Sequence, residues 1–234
     1  MELRLDFSID RQPTEETCGP TCLQAVYRYW GDEVELGAVL TEVEMLPTGG
    51  TMAVHLGQHA LERGYRAHVT SFNLQIFDPT WAPLSSDAIA DRLRRQAEVK
   101  SDPRLRRATD AYLTFLADGG TLTFESLTLE LLRRFLDRRI PVLAGLSATY
   151  LYQEARERPE DGSADDVGGF PTGHFVVLCG YRALEQRVLV ADPLHPARVT
   201  LRPVYSVPLD QLLGAVFLGA LTYDANLLSI EPAT

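Results

Sequence analysis

Apolar residues recur every three or four positions through most of the first 136 residues, and afterwards they gather in short continuous runs. The first pattern predicts helices and the second predicts strands. Leu23, Val26, Tyr27 and Trp30 form one helical stripe behind Pro20, a residue suited to a first helical position, and Gly31 predicts the stop. Leu36, Val39, Leu40 and Val43 predict a short second helix. After the Pro47-Thr48-Gly49-Gly50 turn, a third is expected from Thr51 to about Arg63, closed by Gly64. Tyr65 to Phe72 reads as the first strand.

Residues 78–120 read as a helical hairpin added to this framework. Ser85 or Ser86 is expected to cap a helix carrying Ile89, Leu93 and Ala97. A second helix carries Leu105, Tyr112 and Phe115 or Leu116, and ends at Gly119-Gly120. The hairpin concentrates positive charge in Arg92, Arg94, Arg95, Lys100, Arg104, Arg106 and Arg107. Such a run usually coats a solvated face. The sharper reading is a docking face for an acidic substrate or partner.

Thr128 is expected to cap one more helix through Leu132, Phe135 and Leu136. Strands are then predicted at 140–146, 175–180, 188–191 and 197–201, a helix after Pro208, and strands near 218–222 and 227–230. The link of about 148–172 is long, and its acidic part from Glu160 to Asp166 has no apolar period. It reads as a lid over a cleft or as a disordered loop. Helices first and antiparallel strands later predict an α+β fold.

Composition narrows the function classes. With 234 residues, 45% of them hydrophobic, the chain is long enough for one domain over 1–234 with a buried core. The uncharged stretch from Gln211 to Tyr223 falls short of the roughly 18–20 apolar residues of a membrane span, so no span is expected. A net charge of −10 opposes a phosphate backbone and argues against nucleic acid as a partner. Met1 to Asp6 has no basic head and no apolar run, so no secretory signal and a cytoplasmic location are expected. The three cysteines, Cys18, Cys22 and Cys179, then read as reduced thiols. No cofactor is implied, and nothing decides the oligomeric state.

The densest chemical signal is Gln12-Pro13-Thr14-Glu15-Glu16-Thr17-Cys18-Gly19-Pro20-Thr21. Cys18 stands just before a helix, whose free N–H groups and dipole favour an anion, and a thiolate there is a nucleophile near neutral pH. Gly19 is expected to let another chain approach the sulfur. Of five histidines, His174 is the best base: it sits at the edge of the strand Gly173-His174-Phe175-Val176-Val177-Leu178, where packing needs no polar residue. Eighteen residues on, Val190-Ala191-Asp192-Pro193 ends the next strand. A short turn near Ala183 to Gln186 would bring Asp192 beside His174, to hold the imidazole's tautomer and stabilise its cation.

Those blocks, with the Gly49-Gly50-Thr51 helix start, resemble papain-like cysteine peptidases. The closest resemblance is to family thirty-nine, the bacteriocin-processing or double-glycine leader peptidases, and their stand-alone relatives. The resemblance implies a helical part with the nucleophile at a helix start, packed on an antiparallel sheet. It makes Cys18 the nucleophile, His174 the base and acid, and Asp192 the orienting residue. Gln12 would add a side-chain N–H to an oxyanion hole beside the Cys18 backbone N–H. The implied substrate is a peptide or small amide. The chain departs from the transporter-linked peptidases in having neither a membrane span nor a nucleotide-binding motif, and the hairpin and acidic link are additions.

Other candidates carry less. Cys22 follows Cys18 in a Cys-x-x-x-Cys spacing that is weak for zinc, and it reads as packing, as does Cys179 within an apolar strand. His55 and His59 share a helix face, but the glutamate of a metalloprotease motif is missing from His-Leu-Gly-Gln-His, so no metal is expected. His195 is too close to Asp192 in sequence for a strand-pair geometry. Asp10, Glu15 and Glu16 either tune substrate charge or lie idle at the surface. Beside the hydrolase stand an acyl- or peptidyl-transferase with an amine or thiol acceptor, as in phytochelatin synthase, and a dormant binding module.

Overall fold

The strand-rich second half of the chain builds most of one sheet. The computed structural model describes residues 2–47, 49–194 and 202–233. Its first half runs β1 (Glu2–Arg4), α1 (Cys18–Tyr29), α2 (Leu36–Glu42), α3 (Ala53–Glu62), β2 (Tyr65–Ser71), α4 (Ser86–Val99) and α5 (Pro103–Ala117). There follow β3 (Thr121–Thr123), α6 (Leu129–Leu136), β4 (Val142–Ser147), α7 (Ala148–Tyr152), β5 (Gly173–Arg182) and β6 (Arg187–Ala191). The described elements close with β7 (Val204–Pro208), α8 (Leu209–Leu218) and β8 (Asn226–Pro232).

The strand order is β3-β2-β8-β4-β5-β6-β7, with β1 paired to the far end of β5. Only β2 and β3 run parallel; the other described pairs are antiparallel. β5 and β6 are joined by a tight turn, and Leu178 pairs with Val190 while Gly180 pairs with Leu189, so Cys179 is the extra residue of a bulge. The bulge needs glycine at 180: a Cβ there would lie 2.4 Å from the Leu3 carbonyl of β1.

The first helix starts at Cys18, two residues before the expected Pro20. A turn from Thr14 to Thr17 leads into it, and Thr21 N donates to Thr17 O at 3.1 Å. Pro20 falls in the first turn, where its missing N–H would have had no intrahelical partner anyway. All residues from Cys18 to Tyr27 are buried. The helix is covered on every side rather than along one stripe, because it lies between β5 and the pair α2 and α3. Side chains such as Leu23 and Val26, with no exposure, each contribute roughly 1.5–3 kcal/mol by leaving water.

Two further expectations differ from the structure, and a third falls outside the described residues. Residues 218–222 are not a strand: α8 runs to Leu218 and Gly219–Thr222 forms a 3-10 turn. An unbroken apolar run reads equally as a buried strand or a buried helix, and packing against β4 decides for the helix. The predicted strand at 197–201 and His195 lie outside the described residues, and the strand preceding α8 is β7. The link after β4 opens with α7, capped when Ser147 Oγ accepts from Tyr150 N at 3.3 Å.

That link is folded further on. Glu157 bridges to Ala164 and Phe170, and Asp165 accepts from Val167 N, Gly168 N and Arg158 Nε at 3.0, 2.8 and 2.8 Å. The hairpin of α4 and α5 packs its apolar face inward through Leu93, Leu105, Ala108, Tyr112 and Phe115. Arg92, Arg94, Arg95, Lys100, Arg104 and Arg106 are exposed and Arg107 is half-buried, largely the solvated face that charge runs usually form.

Candidate active site

Cys18 is the first residue of α1, where the helix offers amides without intrahelical acceptors. Gly19 lets other segments of this chain approach closely. A Cβ there would meet Thr51 Cγ2 at 2.6 Å, Leu56 at 3.3 Å and Phe175 at 3.4 Å. The glycine seats the start of α1 against Thr51, Leu56 and β5, and that packing holds Cys18 next to β5.

β5 begins with Gly173 and His174, opposite Ser147 and Leu146 of β4. β6 ends at Ala191, paired with Val177, so the following residue turns back toward His174. His174 Nε2 and Asp192 Oδ1 are 2.9 Å apart. Asp192 has no exposure and is fully provided with donors: Leu194 N reaches Oδ1 at 2.9 Å, and the hydroxyls of Tyr152 and Tyr205 reach Oδ2 at 2.7 and 2.6 Å. Asp192 engages Nε2, and Cys18 lies close enough for its charge to act on the imidazole.

The electrostatics follow from burial and pairing. Burial opposes a charged imidazole, yet Asp192 and Cys18 outweigh it and push His174 up to about 10. Burial would raise Asp192, but the imidazolium and the donated hydrogen bonds bring it down to about 2. Tyr152 and Tyr205 are pushed up by burial and by the Asp192 charge, so both phenols stay neutral and donate. Cys22, fully buried, bonds its thiol to the Phe175 carbonyl at 3.3 Å, and burial pushes it up. Cys179 is likewise buried and pushed up to about 12.

Gln12 reaches the site from the segment before α1. Its backbone N donates to Pro193 O at 2.9 Å, tying that segment to the turn that carries Asp192. Its side chain is buried; Nε2 donates to Thr14 O at 2.8 Å, which leaves the second amide N–H, while Oε1 has no partner. Gln12, Tyr152, His174 and Leu194 share the wall of a small cavity of about 50 Å³. A larger cleft of about 680 Å³ passes Cys18 and His174 and is lined also by residues of the 157–172 segment, by Thr51 and Met52, and by α5. Thus the structure brings all four sequence candidates, Cys18, His174, Asp192 and Gln12, to one place.

Sequence reasoning missed Tyr152, Tyr205 and Asp224. The signal for the tyrosines was indirect: a buried carboxylate needs donors, and Tyr205 pairs with Val190 two residues before Asp192. Asp224 lines the cleft beside Gly173, accepts from Thr222 Oγ1 at 3.1 Å, and is pushed up by burial to about 7. His55 and His59 are occupied elsewhere. His55 Nδ1 lies 3.0 Å from Glu44 O, and His59 lies between Tyr27 Oη at 2.7 Å and Glu42 Oε2 at 3.0 Å.

Comparison with known proteins bears on this arrangement. The model of the Peptidase_C39 like family matches residues 4–207. Among curated proteins none matches the sequence. A solved structure described as a C39-like peptidase from Bacillus anthracis gives a TM-score of 0.52 at 15% identity, covering 100% of this chain and 99% of that one. The cysteine protease xylellain from Xylella fastidiosa gives 0.48 at 12% identity, with 100% and 86% covered. The peptidase domain of Streptococcus ComA gives 0.47 at 11%, with 97% and 99% covered. At these identities only the first bears on this chain, and it bears on the fold alone, which is α+β and papain-like.

Proposed function

Because the chain belongs to the Peptidase_C39 like family, we propose that it is a thiol hydrolase cutting a peptide or small amide bond through Cys18, His174 and Asp192. The observation that carries this reading is His174 held on Nε2 by Asp192, with Cys18 at a helix start close enough for its charge to act on the imidazole. The Cys18 sulfur attacks the substrate carbonyl carbon, and the tetrahedral oxyanion is met by the Cys18 backbone N–H and the spare N–H of Gln12 Nε2. The C–N bond breaks as His174 gives its proton to the departing amine, leaving a thioester. Water then adds to that carbonyl, His174 takes its proton, and the acid and the thiol are released. Asp192 keeps the imidazole in the tautomer and orientation both steps need.

The test is Cys18→Ala. Turnover of a peptide substrate should vanish while the unfolding midpoint stays near wild type; an active variant would refute the assignment. Mass analysis of products with an added amine acceptor should show free carboxylate, and aminolysis products instead would assign the protein to acyl transfer.

A further inference from the structure

α5 sets two arginines, Arg104 and Arg107, in the wall of the cleft that holds Cys18 and His174. Three residues apart on a helix, they share a face. Among the described residues neither guanidinium makes an ion pair or a hydrogen bond. Their position is anchored all the same. Asp102 caps α5 by accepting from Arg104 N at 2.8 Å, and it also accepts from Tyr223 Oη at 2.8 Å, which ties the helix start to the cleft wall at 221–224. The Tyr223 hydroxyl, the Arg104 N–H and, more weakly, the Arg104 charge hold the Asp102 carboxyl below its usual range, with no ion pair between the two side chains.

The other charged residues of the cleft wall are Glu15, Glu16, Glu157, Arg158 and Asp224. Arg158 is held by Asp165 at 2.8 Å. Glu15 and Glu157 also line the small cavity beside Gln12, a cavity whose wall includes neither arginine. Glu16 packs over Gly49, and Asp224 over Gly145 and Gly173. The α5 arginines thus line the cleft but not the small cavity, whose wall holds Gln12, Glu15 and Glu157.

We propose that Arg104 and Arg107 form a carboxylate-binding subsite, so that the chain selects peptides bearing a carboxylate on one side of the reactive bond. This rests on the peptidase reading of the same cleft. A guanidinium meets a carboxylate through two parallel N–H···O bonds, a geometry that an amide of the same shape cannot complete. Two such groups in a partly enclosed wall should favour the acid over the amide by about tenfold. The carboxylate is either an Asp or Glu side chain or the terminal group of the peptide.

A binding selection tests this without requiring turnover. Immobilised Cys18→Ala protein is offered a pooled library of random synthetic decapeptides, as free acids in one arm and C-terminally amidated in the other, and retained peptides are sequenced by mass spectrometry. If a side chain is read, Asp or Glu should be enriched about tenfold over Asn and Gln at one position in both arms. If the terminus is read, retention should be confined to the free-acid arm. Adding Arg104→Gln and Arg107→Gln should abolish either preference with the unfolding midpoint unchanged, and Arg104→Gln alone, at an exposed position, should weaken it. Absence of a carboxylate preference in both arms, or a preference that survives the double substitution, would overturn the proposal. Wild-type protein is then given the retained peptides: if they stay intact, the hydrolase reading fails while the subsite stands.

Discussion

The Tyr205 hydroxyl donates to Asp192 Oδ2 at 2.6 Å, from β7, the neighbour of the strand that ends just before Asp192. Together with Tyr152 on the same oxygen, it leaves the other oxygen to His174 and Leu194 N. The buried carboxylate is kept ionised chiefly by the imidazolium and then by the donated hydrogen bonds, and its orientation is set by three separate segments of chain.

Removing one of those donors should be felt in both stability and catalysis. A hydrogen bond to a charged group contributes roughly 1.5–3 kcal/mol, so Tyr205→Phe should lower the unfolding free energy by about that amount in urea titration. Peptide turnover should fall more than KM changes, as expected when the base is misoriented. An unchanged unfolding midpoint would show that Tyr205 does not support Asp192.

The His174–Asp192 pair sets a pH dependence of known sign. His174 is raised to about 10, so its stabilising contribution is complete below the unfolded value of about 6.5 and is lost as pH rises toward about 10. Asp192 is lowered to about 2, so its contribution is present above the unfolded value of about 3.9 and is lost as pH falls toward about 2. Thermal melts of wild type should therefore decline over the alkaline range, and those of His174→Gln should decline less. Parallel alkaline profiles for the two proteins would contradict the pairing.

The three thiols should differ in reactivity. Cys18 lines the cleft at a helix start, whereas Cys22 has no exposure and Cys179 has 1%. Iodoacetamide near pH 6 should add one group to the native chain, at Cys18, and three after unfolding, as peptide mapping would show. Labelling of Cys22 first would refute this ranking.

Gln12→Ala should reduce kcat by roughly 10²–10³ if its amide completes an oxyanion hole, with little change in fold. Steady-state kinetics on any peptide found to be cut reads this directly. A loss confined to KM would assign Gln12 to substrate binding instead.

Gly19→Ala tests the packing that seats the nucleophile. The added Cβ would lie 2.6 Å from Thr51 Cγ2, which is itself buried, so about 1–3 kcal/mol of stability should be lost to overpacking. Urea unfolding measures it, and a neutral result would mean that Thr51 moves aside freely.

Much of the site is legible because its chemistry is local in sequence. Cys18 stands beside the proline and threonines that begin its helix, and His174 and Asp192 flank two strands joined by one tight turn. The helix start slipped by two residues because proline is tolerated throughout a first turn, so its position marks the beginning only loosely. The apolar run from Gln211 onward showed burial but not conformation, and α8 took the place of a strand at 218.

By itself, then, the sequence determined the α+β class, the thiol at a helix start, and the strand pair that carries the imidazole and the carboxylate. These depend on steric and hydrogen-bond preferences acting over a few residues. The tertiary structure alone decided that Tyr152 and Tyr205 converge on Asp192, that Gly19 makes room for Thr51, and that Arg104 and Arg107 line the cleft that holds Cys18. Each of these is a contact between segments far apart along the chain. Their partners are chosen by how buried surfaces fit together, and no local pattern encodes that choice.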